Sequence, residues 1–207
     1  MSARDRILES VRAASTGRRP HPGAFRPAPA DASWEAFRSA LESIDAEVEG
    51  PVSRVELADR VRSVATRFGA GRCVAEPAAL EILGPGPWES AAESASPHAF
   101  RDVDVGIALG TLGVAENGAV VVTGDLAPHR ALLVLSERLI LIVDAARVVS
   151  DMHAAIERLG ADAARHHHAT WIAGPSKTAD IEQALVVGAH GPRALAVVGY
   201  RAADARS

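Results

Sequence analysis

The segment that decides the fold prediction is residues 170–200, TWIAGPSKTADIEQALVVGAHGPRALAVVGY. It begins with a short apolar run, Thr170–Ala173, and ends with a second one, Ala194–Tyr200. Between them, Lys177–Val187 has apolar residues at helical spacing and is followed by glycine and proline, which typically end a helix. Strand, loop, helix and strand in this order predict a βαβ unit, whose two strands lie parallel with a right-handed crossover.

The loop Gly174–Thr178 follows the first of these strands, and ligands of parallel sheets bind outside the carboxyl ends of the strands. The free N–H groups and the positive dipole end of the following helix suit an anion such as a carboxylate or a phosphate. Lys177 adds a cation, and Ser176 or Thr178 can cap the helix. The segment therefore predicts an anion-binding site.

Two carboxylates lie in the first turn of the predicted helix. Asp180 and Glu182 are two residues apart, roughly 200° around the helix axis, so at most one of them can face the ligand. Thr178 and Glu182 are four apart and can face each other. The alternative interpretation is that both acids only compensate the helix dipole, and that Ser176 and Thr178 act only as caps.

Composition narrows the class of protein. The 207 residues are 48% hydrophobic, which is enough for one domain core with an appendage. The net charge of −4 argues against a dedicated nucleic-acid binder. The most apolar region, Ala131–Val149, is interrupted by charged residues and cannot span a bilayer. No apolar core follows Arg4, Asp5 and Arg6, which predicts no signal peptide and a cytoplasmic location.

Cys73 is the one cysteine in the sequence. One thiol can form no internal disulfide and cannot hold an iron–sulfur cluster, which needs about four. His166, His167 and His168 are successive, so a strand would alternate their faces and a helix would splay them away from a common ion. We therefore expect no metal and no cofactor bound by this chain.

The first residues form a separate region. An amphipathic helix is predicted over Ser2–Ala14, and a segment rich in proline, glycine and arginine follows, with no acid between Glu9 and Asp31. Such a segment cannot pack a core, so residues 1–32 are predicted to be a helix and an extended arm, and residues 33–207 a single domain. The arm is interpreted either as a cationic segment that grips a partner subunit or as a solvated linker.

Helical and strand patterns alternate beyond the arm, which predicts an α/β fold. The predicted helices are Ser33–Val48, Ser53–Phe68, Pro77–Leu83, His129–Leu135 and Ser150–Leu159, and the predicted strands include Arg72–Ala75, Ala119–Val122 and Leu139–Val143.

A second candidate for chemistry is the turn Glu116-Asn117-Gly118, directly before a predicted strand. Asn-Gly tolerates left-handed backbone, so the carboxylate is predicted to be exposed and rigidly held at the edge of a sheet. Glu116 can act there as a base or a nucleophile. The alternative is a hairpin turn with a solvated glutamate. No G-x-G-x-x-G pattern is present, which excludes a dinucleotide fingerprint.

His190 lies in the turn that ends the predicted helix, between Gly188 and Gly191. This position is at the far end of that helix from Ser176. A capping or packing role is therefore predicted, with contact to the Ser176 loop only through another segment.

The run Gly174–Glu182, followed by Gly188–Pro192, resembles the C-terminal signature of the LUD-domain family, whose single-domain members are the lactate utilisation protein C group. The turn Val114–Gly118 and the segment Arg130–Leu132 are similar to further landmarks of that family. The resemblance implies an open three-layer α/β/α sheet, similar to the sugar-phosphate isomerase and CoA-transferase superfamily.

The same resemblance implies a subunit of a complex that oxidises L-lactate to pyruvate, with two iron–sulfur partner subunits that carry the clusters. The turn at Glu116 is also similar to the Ser-Glu-Asn-Gly turn of class I CoA transferases, in which the glutamate forms an acyl anhydride. This similarity implies, as an alternative, an acyl-handling enzyme with Glu116 as nucleophile. A third hypothesis is a non-catalytic subunit that stabilises its iron–sulfur partners.

The residues expected at the site fall into three groups. They are Glu116 and Asp180 as the reactive carboxylates; Asn117, Gly118, Gly174, Ser176, Lys177 and Thr178 as substrate-binding residues; and Glu182, His190 and Gly191 as structural residues.

Overall fold

The computed structural model describes residues 2–14, 23, 31–93, 96–160, 168–179 and 184–202. Its central element is a six-stranded sheet, the main sheet, in which every neighbouring pair of strands is parallel. In spatial order its strands are β1 (Glu47–Ser53), β12 (Ala194–Arg201), β7 (Arg138–Asp144), β4 (Val105–Leu109), β2 (Cys73–Ala75) and β3 (Glu89–Ser90).

A four-stranded second sheet and a small hairpin accompany the main sheet. The second sheet consists, in spatial order, of β8 (Val148–Val149), β5 (Leu112–Val114), β6 (Ala119–Thr123) and β9 (Ala169–Ile172), and the hairpin pairs β10 (Lys177–Thr178) with β11 (Val186–Val187). The described helices are α1 (Ala3–Ala14), α2 (Trp34–Ser43), α3 (Leu57–Arg67), α4 (Pro77–Leu83), α5 (Ala131–Leu135) and α6 (Met152–Gly160). None of these helices is long and apolar enough to cross a membrane.

The strand β7 shows why the sheet lies between two layers. Its residues Leu139–Val143 are fully buried and point alternately to opposite faces. Leu139, Leu141 and Val143 pack with α2 and the second sheet, whereas Ile140 and Ile142 pack with α3 and α4. A strand buried on both faces has no polar alternation and is typical of a parallel sheet. The predicted α/β class with helices on both faces is confirmed.

The helix α2 joins the two sheets through aromatic side chains that lie on glycines. A methyl group at Gly199 of β12 would lie 2.3 Å from Cη2 of Trp34, and one at Gly113 of β5 would lie 2.8 Å from Cζ of Phe37. The two rings also meet edge to face, with centroids 5.5 Å apart. Only glycine leaves room for these rings, so α2 packs closely against both the main sheet and the second sheet.

The predicted helix Lys177–Val187 is wrong. Its ends are the two antiparallel strands of the hairpin, in which Lys177 pairs with Val187 and Thr178 with Val186. Leu185, one of the apolar residues on which the helix prediction rested, is 67% exposed. The predicted βαβ unit is also wrong, because its two strands belong to different sheets. β9 lies in the second sheet, antiparallel to β6, whereas β12 lies in the main sheet.

The strand β1 was not predicted, and its first two residues were assigned to a helix. The helix predicted over Ser33–Val48 ends at Ser43, and the chain enters the main sheet at Glu47. β1 is an edge strand, and its outward Glu47 and Glu49 form ion pairs with Arg67 of α3. Charged residues on an edge strand protect it from pairing with other chains but weaken its strand pattern.

The N-terminal region agrees with its prediction in one element. The helix predicted over Ser2–Ala14 is present as α1, and none of its residues is buried. Residues 15–22 and 24–30 of the arm lie outside the described residues. The division into an arm and a single domain stays a prediction.

Candidate functional site

The ends of β2 and β4 form a topological switch point in the main sheet. From β2 the chain continues through α4 to β3 on one side, whereas from β4 it continues to β7 on the other side. Sheets of this kind bind ligands in the crevice outside the carboxyl ends of the two strands. Glu76 directly follows β2 at this point, and its backbone N–H donates to the carbonyl of Ile107 in β4, at 2.9 Å.

The carboxylate of Glu76 is fully buried, and both of its oxygens bond to His129. Oε1 accepts a hydrogen bond from the backbone N–H of His129 at 3.1 Å, and Oε2 lies 3.0 Å from Nδ1 of its ring. Phe100 packs edge to face against the imidazole, with centroids 6.1 Å apart. The backbone bond thus anchors residue 129, and the bond to Nδ1 and the ring contact orient its imidazole.

Burial raises the pKa of the Glu76 carboxyl above its ordinary value, and the hydrogen bonds from His129 partly oppose this effect. An ionised carboxylate next to Nδ1 favours the tautomer that carries its proton on Nδ1. The other ring nitrogen, Nε2, then has a free lone pair and makes no hydrogen bond within the described residues. The lone pair on Nε2 can accept a proton from a ligand, as that of a general base does.

His129 lines an open cavity of about 570 Å³. This size is within the range of small-molecule sites, whose walls are mostly apolar with a few polar groups. Arg130 also lines the cavity, and it forms no ion pair with any residue that the structure describes. The other walls include Phe100, Ala131, Leu133 and Thr170. The cavity therefore combines an oriented imidazole, a cation and apolar surface.

The acidic turn makes structural contacts, and its predicted reactive role stays a prediction. Oε2 of Glu116 accepts the backbone N–H of Met152 at 3.0 Å, and this is the first residue of α6. Oδ1 of Asn117 accepts the backbone N–H of Ala119 at 3.0 Å, within the turn. Gly118 has a φ of +69°, which favours glycine. The carboxylate of Glu116 thus stabilises the start of α6.

Ser176 contacts His190 directly, which corrects the expectation that another segment would separate them. Oγ of Ser176 accepts the backbone N–H of His190 at 3.3 Å, and a methyl group at Gly191 would lie 3.4 Å from Cβ of Ser176. The backbone N–H of Ser176 donates to the carbonyl of Pro192 at 2.8 Å, and its carbonyl accepts from Gly188 at 2.9 Å. The hairpin brings the two turns together, where a helix would have held them apart.

The side chain of Lys177 binds to residues that follow α2. Its Nζ forms an ion pair with Asp45 and lies 3.3 Å from the carbonyl oxygen of Ile44. The predicted helix N-terminus at Ser176 and Thr178 does not exist, because Lys177 and Thr178 form a strand of the hairpin. The predicted helix dipole is therefore absent at this loop, and the substrate-binding roles of Ser176, Lys177 and Thr178 stay predictions. Asp180 and Glu182 lie outside the described residues.

The acidic turn Glu116-Asn117-Gly118 and the loop at Gly174 lie at the same end of the second sheet. Val120 of β6 pairs with Ile172 of β9, so the segments just beyond them are neighbours. A methyl group at Gly118 would lie 2.9 Å from the backbone N of Leu41, and one at Gly174 would lie 3.0 Å from the carbonyl oxygen of Ile44. Both glycines therefore pack against the end of α2 and the residue after it. The substrate-binding roles assigned to these segments stay predictions.

The pair of Glu76 and His129 was missed in the sequence because the two residues are 53 positions apart. One signal was present: Glu76 is an acid placed between the buried strand Cys73–Ala75 and Pro77, the first residue of α4. An acid at the carboxyl end of a buried strand is where a parallel sheet presents its ligand-binding groups. His129 was recognised only as the start of a helical turn.

No group of three or more His, Cys, Asp or Glu that could hold a metal occurs among the described residues. The histidines His166 and His167 lie outside that part of the chain. The single Cys73 is buried in the core.

Comparison with known proteins places the chain in a family. The model of the LUD domain matches residues 37–198, which includes every described strand of the second sheet and most of the main sheet. The chain belongs to the LUD-domain family. A lactate utilization protein C from Deinococcus radiodurans is 26% identical over 200 residues, which cover 93% of this chain and 92% of that protein.

Other relatives match over a shorter length. A lactate utilization protein C from Geobacillus thermodenitrificans is 34% identical over 54% of this chain and 48% of that protein, so the match spans about half of the relative. A crystal structure of a DUF162 family protein from Deinococcus radiodurans has the same fold, with a TM-score of 0.61 at 19% identity over 80% of this chain and 94% of that chain.

Proposed function

We propose that the protein takes part in lactate utilisation, as a subunit of a cytoplasmic complex that oxidises L-lactate to pyruvate. The observation that carries the proposal is the match with the Deinococcus lactate utilization protein C, which extends along nearly the whole of both chains. A fold alone serves many functions, so the site must also suit the role. The cavity beside His129 and Arg130 offers a small carboxylate both a cation and a proton acceptor.

Electrons must leave through other subunits. Oxidation of lactate to pyruvate removes two electrons and two protons, and side chains alone provide no acceptor for the electrons. A cluster needs about four cysteines, whereas this chain has Cys73 alone, so its residues do not fit an iron–sulfur cluster. We therefore place the iron–sulfur clusters on partner subunits, and we expect the isolated chain to oxidise no lactate with artificial acceptors.

Deletion of the gene in its native host tests the role. The deletion strain should fail to grow on L-lactate and should grow normally on pyruvate, because only the oxidation step is lost. Re-expression of the chain should restore growth on L-lactate. Equal growth of the deletion and parent strains on L-lactate would contradict the proposal.

Purification of the tagged chain from the same host tests the complex. Cysteine-rich proteins should co-purify, and the preparation should reduce an artificial acceptor only when L-lactate is added. Robust lactate oxidation by the chain without partners would refute the division of roles.

The acyl-handling alternative receives less support from the geometry. A nucleophilic carboxylate must be free to attack, but that of Glu116 accepts the N–H of Met152. Incubation with an acyl-CoA followed by hydroxylamine would modify Glu116 if this alternative held. The non-catalytic alternative predicts a fully active complex after substitution of His129, so activity of the reconstituted variant complex separates the two roles.

A further inference from the structure

We propose that the cavity beside Glu76 and His129 is a binding site for a small 2-hydroxy carboxylate. Nε2 of His129 accepts the hydrogen bond of the ligand hydroxyl, Arg130 pairs with the ligand carboxylate, and Glu76 holds the imidazole. The choice of ligand class rests on the proposed function, whereas the site rests on the geometry of these residues.

The first argument is the isolation of the Glu76 carboxylate. A fully buried carboxylate is costly unless it is well bonded, and a neutral glutamine of the same shape would fill the space at lower cost. Among the described residues both of its oxygens bond to His129 and to no other side chain. The carboxylate therefore serves to position the imidazole, which is the role of the acid in carboxylate–histidine pairs.

The second argument is the direction of the hydrogen bond that remains available. When Glu76 is ionised, its Oε2 accepts the Nδ1 proton of the imidazole, and Nε2 of His129 is then an acceptor. The His129 side chain is 27% exposed, so a ligand in the cavity can reach the ring. A hydroxyl is a donor and complements this nitrogen. A keto oxygen is only an acceptor and does not.

The third argument is the unpaired cation. Arg130 follows His129 in the chain and lines the same cavity, and no described carboxylate pairs with it. A guanidinium binds a carboxylate through two parallel hydrogen bonds, which fixes the orientation of the ligand. Phe100 and Leu133 give apolar surface for a short alkyl group. Hydroxyl, carboxylate and alkyl group together describe a small hydroxy acid, and the 2-hydroxy class follows from the proposed function.

Binding to the full-length chain in solution tests the site without any partner. We would titrate the ¹⁵N-labelled protein with L-lactate, propionate and pyruvate and follow its amide resonances. L-Lactate should bind saturably, with shifts around residues 129–131. Propionate and pyruvate should bind about threefold to tenfold more weakly, because each loses one hydrogen bond to Nε2. Equal affinity of the three ligands would overturn the assignment of His129.

Substitutions separate the two contacts. Arg130→Met should weaken all three ligands by a similar factor, whereas His129→Phe should weaken L-lactate to the affinity of propionate. Arg158→Met is the matched control, because Arg158 also lacks a described ion pair but lines a different cavity. The affinity of the Arg158→Met variant for L-lactate should equal that of the parent protein. Arg130 is exposed, so its variant tests the site even if His129→Phe folds poorly.

The outcomes distinguish the site from the proposed function. Saturable binding with the expected response of Arg130→Met supports the site, even if the deletion strain grows normally on L-lactate. No saturable binding, or binding unaffected by Arg130→Met, overturns the site, even if the deletion strain loses growth on L-lactate.

Discussion

Replacement of His129 by phenylalanine removes the side-chain partner of the buried carboxylate and keeps an aromatic ring beside Phe100. The lost interaction is the bond between Nδ1 and Oε2 of Glu76, 3.0 Å long and made to a carboxylate with no exposed surface. Hydrogen bonds to charged groups stabilise a folded protein by about 1.5–3 kcal/mol. The backbone N–H of residue 129 still donates to Oε1, so we expect His129→Phe to lower the free energy of unfolding by an amount in this range.

The loss should depend on pH, and its sign follows from the pKa of Glu76. Burial raises this pKa above the ordinary value of 4.5, and the bonds from His129 lower it, so their removal raises the pKa further. A carboxyl with a raised pKa binds its proton more tightly in the folded state than in the unfolded state. The free energy of unfolding then falls as the pH rises from 4.5 through the folded pKa. The cost of His129→Phe should therefore be larger at about pH 8 than at about pH 5.

Urea unfolding of four proteins isolates the pair. They are the parent, His129→Phe, Glu76→Gln and the double variant, and each is measured at both pH values. Glu76→Gln removes the titrating group, so its background should abolish the pH dependence of the His129→Phe loss. The reasoning fails if the loss is the same at the two pH values, or if it has the same pH dependence in the Glu76→Gln background.

Further predictions concern the packing and the ends of the elements. Gly199→Ala should lower the free energy of unfolding in urea by about 1–3 kcal/mol, because the new methyl group would lie 2.3 Å from an indole ring. In Gly160→Ala the new methyl group would have no atom of the described residues within 4 Å and should change the free energy of unfolding by less than about 1 kcal/mol, so equal effects would contradict the packing argument. Glu116→Ala should cost about 0.5–1.5 kcal/mol by loss of the hydrogen bond from the backbone N–H of Met152, and Glu116→Gln less, since its amide oxygen still accepts; the reverse order would contradict this contact. Deletion of residues 1–30 should leave the melting temperature nearly unchanged, because α1 buries no residue; a large drop would show that the arm packs on the domain.

The elements that could be predicted from the sequence are those whose local pattern agrees with their environment. β7 is a continuous apolar run because both of its faces are buried, and α4 begins at Pro77, a residue suited to the first helical position. The second sheet could not be predicted as a sheet, because its pairing joins β6 to a strand 46 or more positions later. Local patterns give strands, but pairing depends on distant residues.

The hairpin shows the opposite case, in which a clear local pattern was misleading. Residues 177–187 have the spacing of a helix, but the backbone bonds between Ser176 and Gly188, and between Ser176 and Pro192, close the segment on itself. Gly188 has a φ of +81°, which ends a helix or opens a turn equally well. The sequence does not distinguish these two uses of glycine. The contacts of Ser176 do.

The second part of the family signature, Gly188–Pro192, and the crevice lie at opposite ends of the strands of the main sheet, and the difference has a physical reason. The turn Gly188–Arg193 precedes β12 at its amino end, whereas Glu76 follows β2 at its carboxyl end, and the two strands belong to the same parallel sheet. The signature makes the passage from β9 in the second sheet to β12 in the main sheet. That passage requires left-handed backbone at Gly174 and Gly188.

Such backbone demands restrict many consecutive residues and therefore produce a long motif. The crevice requires only single side chains, each supplied by a different element, and therefore produces none. Among the described residues of the 170–200 segment, Thr170 alone lines the cavity. A search for function from the motif alone thus leads to the connection between the sheets, whereas the topology of the sheet leads to His129.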